Sequence, residues 1–454
     1  MNPRTILVTF FVISVFHQAL IAQNTNTTFK ILEGYWEGAF IKNNSSQKFE
    51  INFFKNKDQM MSFQIIEEWH PQFGEFEIPI EIDSLHNISF NTGYGKANLN
   101  LDRNALELNG NIENTSTPIY LHLKKAPKPP PKNYTTVAKT IENDGVILTG
   151  HMHIPKLATN TAMIIIGGRG CYAGSTKYDL YAKLLRSYGI TVLVYNKRGT
   201  GKSTGNCEMA TISDLASDVV AWKRFLENEY QQFTNIGILG SSAGGWVMTK
   251  AQEDGANFDF MIGIVAPSTS VKEQQLQSMQ YGANFYKLNE NAKEHLKAYT
   301  NLMLEAKATQ KNFERFKELL NYSQAEGWRE LLDDTDIPKS KDDINNLWVR
   351  RHDYDPESAL HNFNKPLLAI YGEIDWIVPF KENVDVLHKI YKNEKRKLLK
   401  TIIAYDAEHG TETEEKLVTL TNKISYWRFY RIAPIVQISI IDFLYDNQFI
   451  KRDD

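Results

Sequence analysis

Two patterns of apolar positions divide the chain. From about Asn24 to Lys125, short segments alternate apolar and polar residues: KFEINFF, MSFQII, IEIDSLHNISFN, KANLNLD, ALELNGNI and PIYLHLKK. Asn, Asp and Gly punctuate them. Alternation with a period of two puts every second side chain on one face, so these segments predict the strands of an antiparallel sandwich or barrel. Gly34, Trp36 and Gly38 (GYWEG) open the region, with Trp36 expected as a core plug and a ligand contact as its alternative. Residues 126–134 (APKPPPKNY) follow as an extended linker, because prolines remove backbone donors and stiffen the chain.

Beyond the linker, over 135–454, the rhythm changes to apolar runs separated by helical segments. The runs are VILTGHMHIP, AMIIIGG, ITVLVYNKRG, NIGILGSS, FDFMIGIVAP, KPLLAIYGEID and LLKTIIAYD; Tyr178–Tyr188 and Ile212–Glu227 are examples of the helices. Nearly continuous apolar strands joined by crossover helices predict a parallel sheet covered on both faces. About 268–364 breaks that rhythm with a long, charged, helical stretch. It predicts an insertion that caps the sheet like a lid and leaves an apolar cleft partly lined by its helices.

Residues 1–22 read as a secretory signal peptide. Arg4 is the positive start, Ile6–Phe16 the apolar run, and Ala19–Ala22 a cleavage region flawed by Leu20. An uncleaved anchor is the alternative. Cleavage removes only Arg4 from the formal charge of −3, leaving −4. The mature chain is then expected to be secreted or periplasmic, with no membrane span.

Composition narrows the function. With 454 residues, two or three domains are expected, and 51 Lys+Arg against 54 Asp+Glu leave no basic footprint for nucleic acid. Two cysteines exclude an all-cysteine zinc site, and no ligand-spaced His/Cys cluster appears, so neither metal nor cofactor is expected.

The stretch NIGILGSSAGGW carries the chemistry. Gly240-Ser241-Ser242-Ala243-Gly244 fits G-x-S-x-G between an apolar strand and a helix expected over Gly245–Asp254. A sharp strand-to-helix turn of this kind exposes a serine hydroxyl at the sheet edge. The Ala243 amide then serves as one oxyanion donor. A base and an orienting acid must follow. Asp375 ends one later strand (GEID) and His409 follows the next (AEHG), in the chain order Ser, Asp, His; Glu373, Asp406 and Glu408 are rival acids. Two decoys fail on single residues: NKRGTGKS has Asn196 where a phosphate-binding loop needs glycine, and GGRG lacks a third glycine, having Ala173.

Together GGRGCYAG, VLVYNKRGTGKSTGN, GSSAGG, YGEIDWIVP and AEHG resemble the α/β-hydrolase superfamily in order. With the GYWEG region ahead of them, they resemble its secreted bacterial esterase- and peptidase-like serine hydrolases with an N-terminal β-domain. The resemblance implies an α/β-hydrolase sheet with a helical cap, a Ser–His–Asp triad and an acyl-enzyme intermediate. It departs from the common His-Gly after the early strand, since Gly167-Gly168-Arg169-Gly170 stands there. By position the amide of Arg169 or Gly168 is the second oxyanion donor. The Arg169 guanidinium either attracts an anionic substrate or pairs with a local carboxylate. The expected substrate is a small acyl ester; a short peptide, acyl transfer, or a non-catalytic binding role are the alternatives. Cys171 and Cys207 follow consecutive strands, and export would let them form a disulfide, a pairing also similar to that of some secreted relatives; two unrelated buried thiols are the alternative.

Overall fold

The computed structural model describes residues 27–42, 45–58, 61–65, 78–83, 85, 87–91, 95–113, 115, 118–128, 132–172, 176–412 and 432–451. The proposed signal segment, 1–22, lies outside the described residues. Two compact units are present, the first running to Lys132 and the second beginning at Asn133.

Apart from a short helical segment over 27–32, the first unit is built of β-strands. Its strands are β1 (Gly34–Lys42), β2 (Ser45–Lys55), β3 (Met61–Ile65), β4 (Ile78–Pro79), β5 (Glu81–Ile82), β6 (Asn87–Asn91), β7 (Lys96–Asp102), β8 (Glu107–Ile112) and β9 (Ile119–Lys125). They form one nine-stranded sheet in the order β4-β3-β2-β1-β9-β8-β7-β6-β5, antiparallel throughout. Its two edge strands are consecutive in the chain, with Ile80 alone between them, so the sheet curls until its edges meet. Of the two expected architectures this is the barrel. Alternation does the sorting: Ala97, Leu99 and Leu101 of β7 and Ile119, Leu121 and Leu123 of β9 point into one core. Trp36 is 1% exposed there, donating its indole N–H to the Leu32 carbonyl at 2.6 Å and meeting Phe53 edge-on. It is a core plug.

The second unit carries an eight-stranded sheet. Its strands are β10 (Tyr134–Asn143), β11 (Val146–Pro155), β12 (Thr161–Ile166), β13 (Thr191–Tyr195), β14 (Asn235–Ser241), β15 (Met261–Ile264), β16 (Leu367–Gly372) and β17 (Leu399–Ala404). The order is β10-β11-β13-β12-β14-β15-β16-β17. The first two strands join antiparallel, and β13 through β17 run parallel. Every residue of β12, β13, β15 and β16 is buried, which is why these strands read as unbroken apolar runs. In β12 the faces separate by parity: Ala162, Ile164 and Ile166 enter one core, Met163 and Ile165 the other.

Helices cover both faces. α1 (Thr176–Ser187) and the C-terminal α10 (Pro434–Asp446) carry Tyr181, Leu185, Val436 and Ile440 into one core. α2 (Ile212–Glu229) and α3 (Gly244–Ala251) carry Val219, Trp222 and Val247 into the other. Between β15 and β16 lie α4 (Val271–Phe285), α5 (Glu290–Glu305), α6 (Gln310–Ser323), α7 (Trp348–Arg351) and α8 (Glu357–Asn362), with no strand among them. α9 (Phe380–Ile390) then leads towards β17. Among the described residues no helix is long and apolar enough to cross a membrane.

Candidate active site

Ser242 sits where β14 gives way to α3. Its φ is +52°, a left-handed conformation that costs a non-glycine residue on the order of 1–3 kcal/mol. The turn is held by backbone bonds: the Ser242 amide donates to the Ile264 carbonyl at 2.9 Å, and the Gly245 amide donates to the Ser242 carbonyl at 2.7 Å. Glycine at 244 is a steric requirement, because a Cβ there would lie 2.8 Å from the carbonyl oxygens of both Ile166 and Gly167. α3 is one turn shorter than expected, and residues Gln252–Ala256 continue as a π-helical turn broken by Gly255 at φ +90°.

Asp375 and His409 reach the serine from the loops after β16 and β17. Ser242 Oγ–H donates to His409 Nε2 at 2.9 Å, and His409 Nδ1–H donates to Asp375 Oδ2 at 2.8 Å. The Asp375 side chain is fully buried, whereas His409 keeps about a quarter of its side chain exposed. Burial of the carboxylate is compensated: its other oxygen accepts the amides of Ile377 at 2.8 Å and Val378 at 3.0 Å. These bonds fix which oxygen faces the imidazole, and so fix the tautomer whose Nε2 lone pair faces the serine. Of the rival acids, Glu373 accepts the Asp406 amide at 2.9 Å and thereby braces the loop that carries His409. The structure thus brings Ser242, His409 and Asp375 into one hydrogen-bonded chain.

The loop after β12 passes against the nucleophile. A Cβ on Gly168 would stand 2.9 Å from Ser242 Cβ and 3.4 Å from its Oγ, so only glycine lets the backbone approach this closely. Beyond it, the Arg169 guanidinium takes the second of its two expected roles. It bonds Asp336 Oδ1 at 2.8 Å and Thr335 Oγ1, stands 3.6 Å from Asp333, and lies over the Trp348 ring at 4.4 Å. Asp336 is 1% exposed, and burial pushes its carboxyl above the ordinary range, an effect the guanidinium partly offsets. Arg169 is therefore a local partner for the cap's carboxylates. Cys171 and Cys207 are joined in a disulfide with Cα atoms 5.7 Å apart, tying this loop to the one after β13.

A cavity of about 460 Å³ opens beside the serine turn. Gly168, Arg169, Ala243 and the disulfide line one side, and Leu332–Thr335, Trp348, Arg351 and His352 of the insertion line the other. The insertion accordingly lies over the serine edge of the sheet, as a lid would. This cavity is mixed in character: Ile212, Leu215, Val247 and Trp348 are apolar, while Lys197, Glu208, Asp333, Asp334 and Arg351 bring charge to its walls. Charged residues of the insertion, Asp333, Asp334 and Arg351, thus face the cavity. His352 is 5% exposed, stacked on Trp348 and donating Nδ1–H to the Trp348 carbonyl at 3.0 Å. Burial lowers its pKa to about 4, so the ring is neutral at pH 7.

Sequence reasoning missed Lys197, Asp336 and Trp348 as parts of this neighbourhood. Only Lys197 stood inside a motif under scrutiny, the rejected phosphate-loop match.

The family model of the X-Pro dipeptidyl-peptidases, the S15 peptidases, matches residues 124–410, more than half of the chain. The chain belongs to that family. It is an α/β-hydrolase and a serine hydrolase, with a small unit built on an antiparallel β-sheet ahead of the catalytic sheet in the chain. Among solved structures it is similar to the Pyrococcus furiosus esterase Pf2001, at 16% identity and TM-score 0.43, over 69% of this chain and 93% of that one. It is similar to Est1E from Butyrivibrio proteoclasticus with bound ferulic acid, at 17% identity and TM-score 0.41, over 68% and 99%. A Mycobacterium smegmatis proline iminopeptidase aligns at 14% identity and TM-score 0.43, over 69% and 99%. Curated proteins give no match.

Proposed function

We propose that this S15-family chain hydrolyses acyl bonds through an acyl-enzyme on Ser242. His409 takes the serine proton as Oγ attacks the carbonyl, then returns it to the leaving group. Asp375 holds the imidazole in register and stabilises the imidazolium that forms. The amide of Ala243, with that of Arg169 or Gly168, stabilises the oxyanion. The hydrogen-bonded chain Ser242–His409–Asp375 carries this reading.

Small esters are the substrates proposed first, because an ester needs less leaving-group activation than an amide. Short peptides are the second reading, favoured by membership in a family of X-Pro dipeptidyl-peptidases. The protein is proposed to act after export: the Cys171–Cys207 disulfide supports an oxidising compartment, in line with the signal peptide read over 1–22.

A fluorophosphonate probe should label the wild type at Ser242 and leave Ser242→Ala unlabelled. Turnover of p-nitrophenyl esters of graded chain length, set against X-Pro p-nitroanilides, then separates the two substrate readings. An unlabelled wild type, or equal turnover by Ser242→Ala, would overturn the assignment.

A further inference from the structure

We propose that Lys197 is a positioning residue for the oxyanion hole, clamping the Gly168–Arg169 peptide so that the Arg169 amide faces the Ser242 side. The proposal rests on the serine-hydrolase reading above and adds to it a residue outside the triad.

Lys197 enters from the loop after β13. Its ammonium donates to the Gly168 carbonyl and, at 3.3 Å, to the Gly170 carbonyl. Among the described residues there is no cis peptide bond. In a trans peptide the carbonyl and the following N–H point to opposite sides of the chain. Pulling the Gly168 oxygen towards Lys197 therefore turns the Arg169 N–H away from it, on a stretch of backbone already pressed against Ser242. The neighbouring peptide is turned differently: the Gly167 oxygen lies where a Gly244 Cβ would be only 2.8 Å away, so the Gly168 N–H points away from the start of α3. Of the two amides nominated from the sequence, the geometry selects Arg169.

The clamp also polarises the peptide it holds. A cation on the carbonyl oxygen withdraws electron density from the amide and strengthens its N–H as a donor. Desolvation lowers the Lys197 pKa to about 8, so the charge that performs this role is lost in mildly alkaline solution. The other charged groups facing the cavity are Arg169, Glu208, Asp333, Asp334 and Arg351, with neutral His352. Guanidinium groups and carboxylates do not change charge near pH 8. Arg198, next in the chain, is turned onto Asp218 at 2.8 and 2.9 Å.

The test uses p-nitrophenyl butyrate with the full-length wild type, Lys197→Met, Lys197→Arg and Ser242→Ala. Removing one oxyanion donor costs about 10²–10³-fold in kcat, and a misdirected donor should approach the lower figure. Lys197→Met is expected to lose about 100-fold in kcat with KM within about twofold, the split that marks a transition-state interaction. Wild-type kcat should decline through about pH 8, and Lys197→Arg, which keeps its charge, should lack that decline. Lys197→Met with kcat within about threefold of wild type would overturn the proposal by the same donor reasoning. An alkaline decline in Lys197→Arg matching that of wild type would also overturn it, and needs only folded proteins to be seen. Both results would arise with Ser242→Ala still inactive. Activity in Ser242→Ala equal to wild type would instead sink the Ser242 reading and this proposal with it.

Discussion

Replacing Asp375 with asparagine isolates the tautomer argument. The two side chains are nearly isosteric, so the buried site is filled in both. Asp375 Oδ1 accepts the Ile377 and Val378 amides, and Oδ2 accepts His409 Nδ1–H. An asparagine must aim its single oxygen either at the two backbone amides or at the imidazole. Aiming its NH₂ at the amides would strand two buried donors, at about 1–3 kcal/mol each. The oxygen therefore stays with the backbone, and NH₂ faces His409 Nδ1. The ring can answer only by accepting there, which moves its proton to Nε2 and points a donor at Ser242. Such a serine has no base. The same tautomer reversal elsewhere costs about 10⁴-fold in kcat, equivalent to ~5 kcal/mol of transition-state stabilisation. The assay is turnover of a p-nitrophenyl ester, with a thermal melt to show that the variant is folded. A folded Asp375→Asn enzyme within about tenfold of wild-type kcat would refute the argument, since no hydrogen-bond arrangement here gives asparagine both tasks.

Three further outcomes are expected. Gly244→Ala places a methyl against the Ile166 and Gly167 oxygens and should cost about 1–3 kcal/mol in urea denaturation while lowering kcat; unchanged values would show that the serine turn yields freely. The Cys171–Cys207 bond closes a loop of sequence separation 36, so the double alanine variant should lose roughly 3–4 kcal/mol, and alkylation should label the wild-type cysteines only after reduction. His352 gains a proton near pH 4 when folded but near 6.5 when unfolded. The unfolded state then binds more protons in that window, so stability should fall as pH drops through it, by at most about 3 kcal/mol. His352→Gln should remove that part of the slope in urea midpoints measured across the window.

Legibility along the chain followed how local each signal was. The buried parallel strands were readable because residues such as Thr161–Ile166 have no exposed face to punctuate the run. Alternation in Lys96–Asp102 was readable for the opposite reason, one face being wet. The choice of barrel over sandwich was not, because closure depends on β4 and β5, two residues each, too short to show a period. The meeting of Ser242, Asp375 and His409 was legible because each follows a strand whose register places its end at one sheet edge. The polarity of the cavity was not, because periodicity tells which residues of the insertion are helical but not which charged side chains meet a partner across space.

Arg169 shows what that missing information contains. From sequence its two roles were indistinguishable, since a substrate anion and a protein carboxylate present the same chemistry to a guanidinium. The deciding residue, Asp336, lies 167 positions away and is buried inside the insertion. An ion pair across that distance joins the loop after β12 to the insertion. The Lys197 ammonium and the Cys171–Cys207 bond hold the same short loop to the segment after β13. Close packing against Ser242 demands glycine at 168, and glycine alone leaves a backbone free to rotate. A loop that must be both thin and rigid cannot take its rigidity from its own side chains. It takes it from anchors contributed by distant segments, and these a local reading of GGRG could not supply.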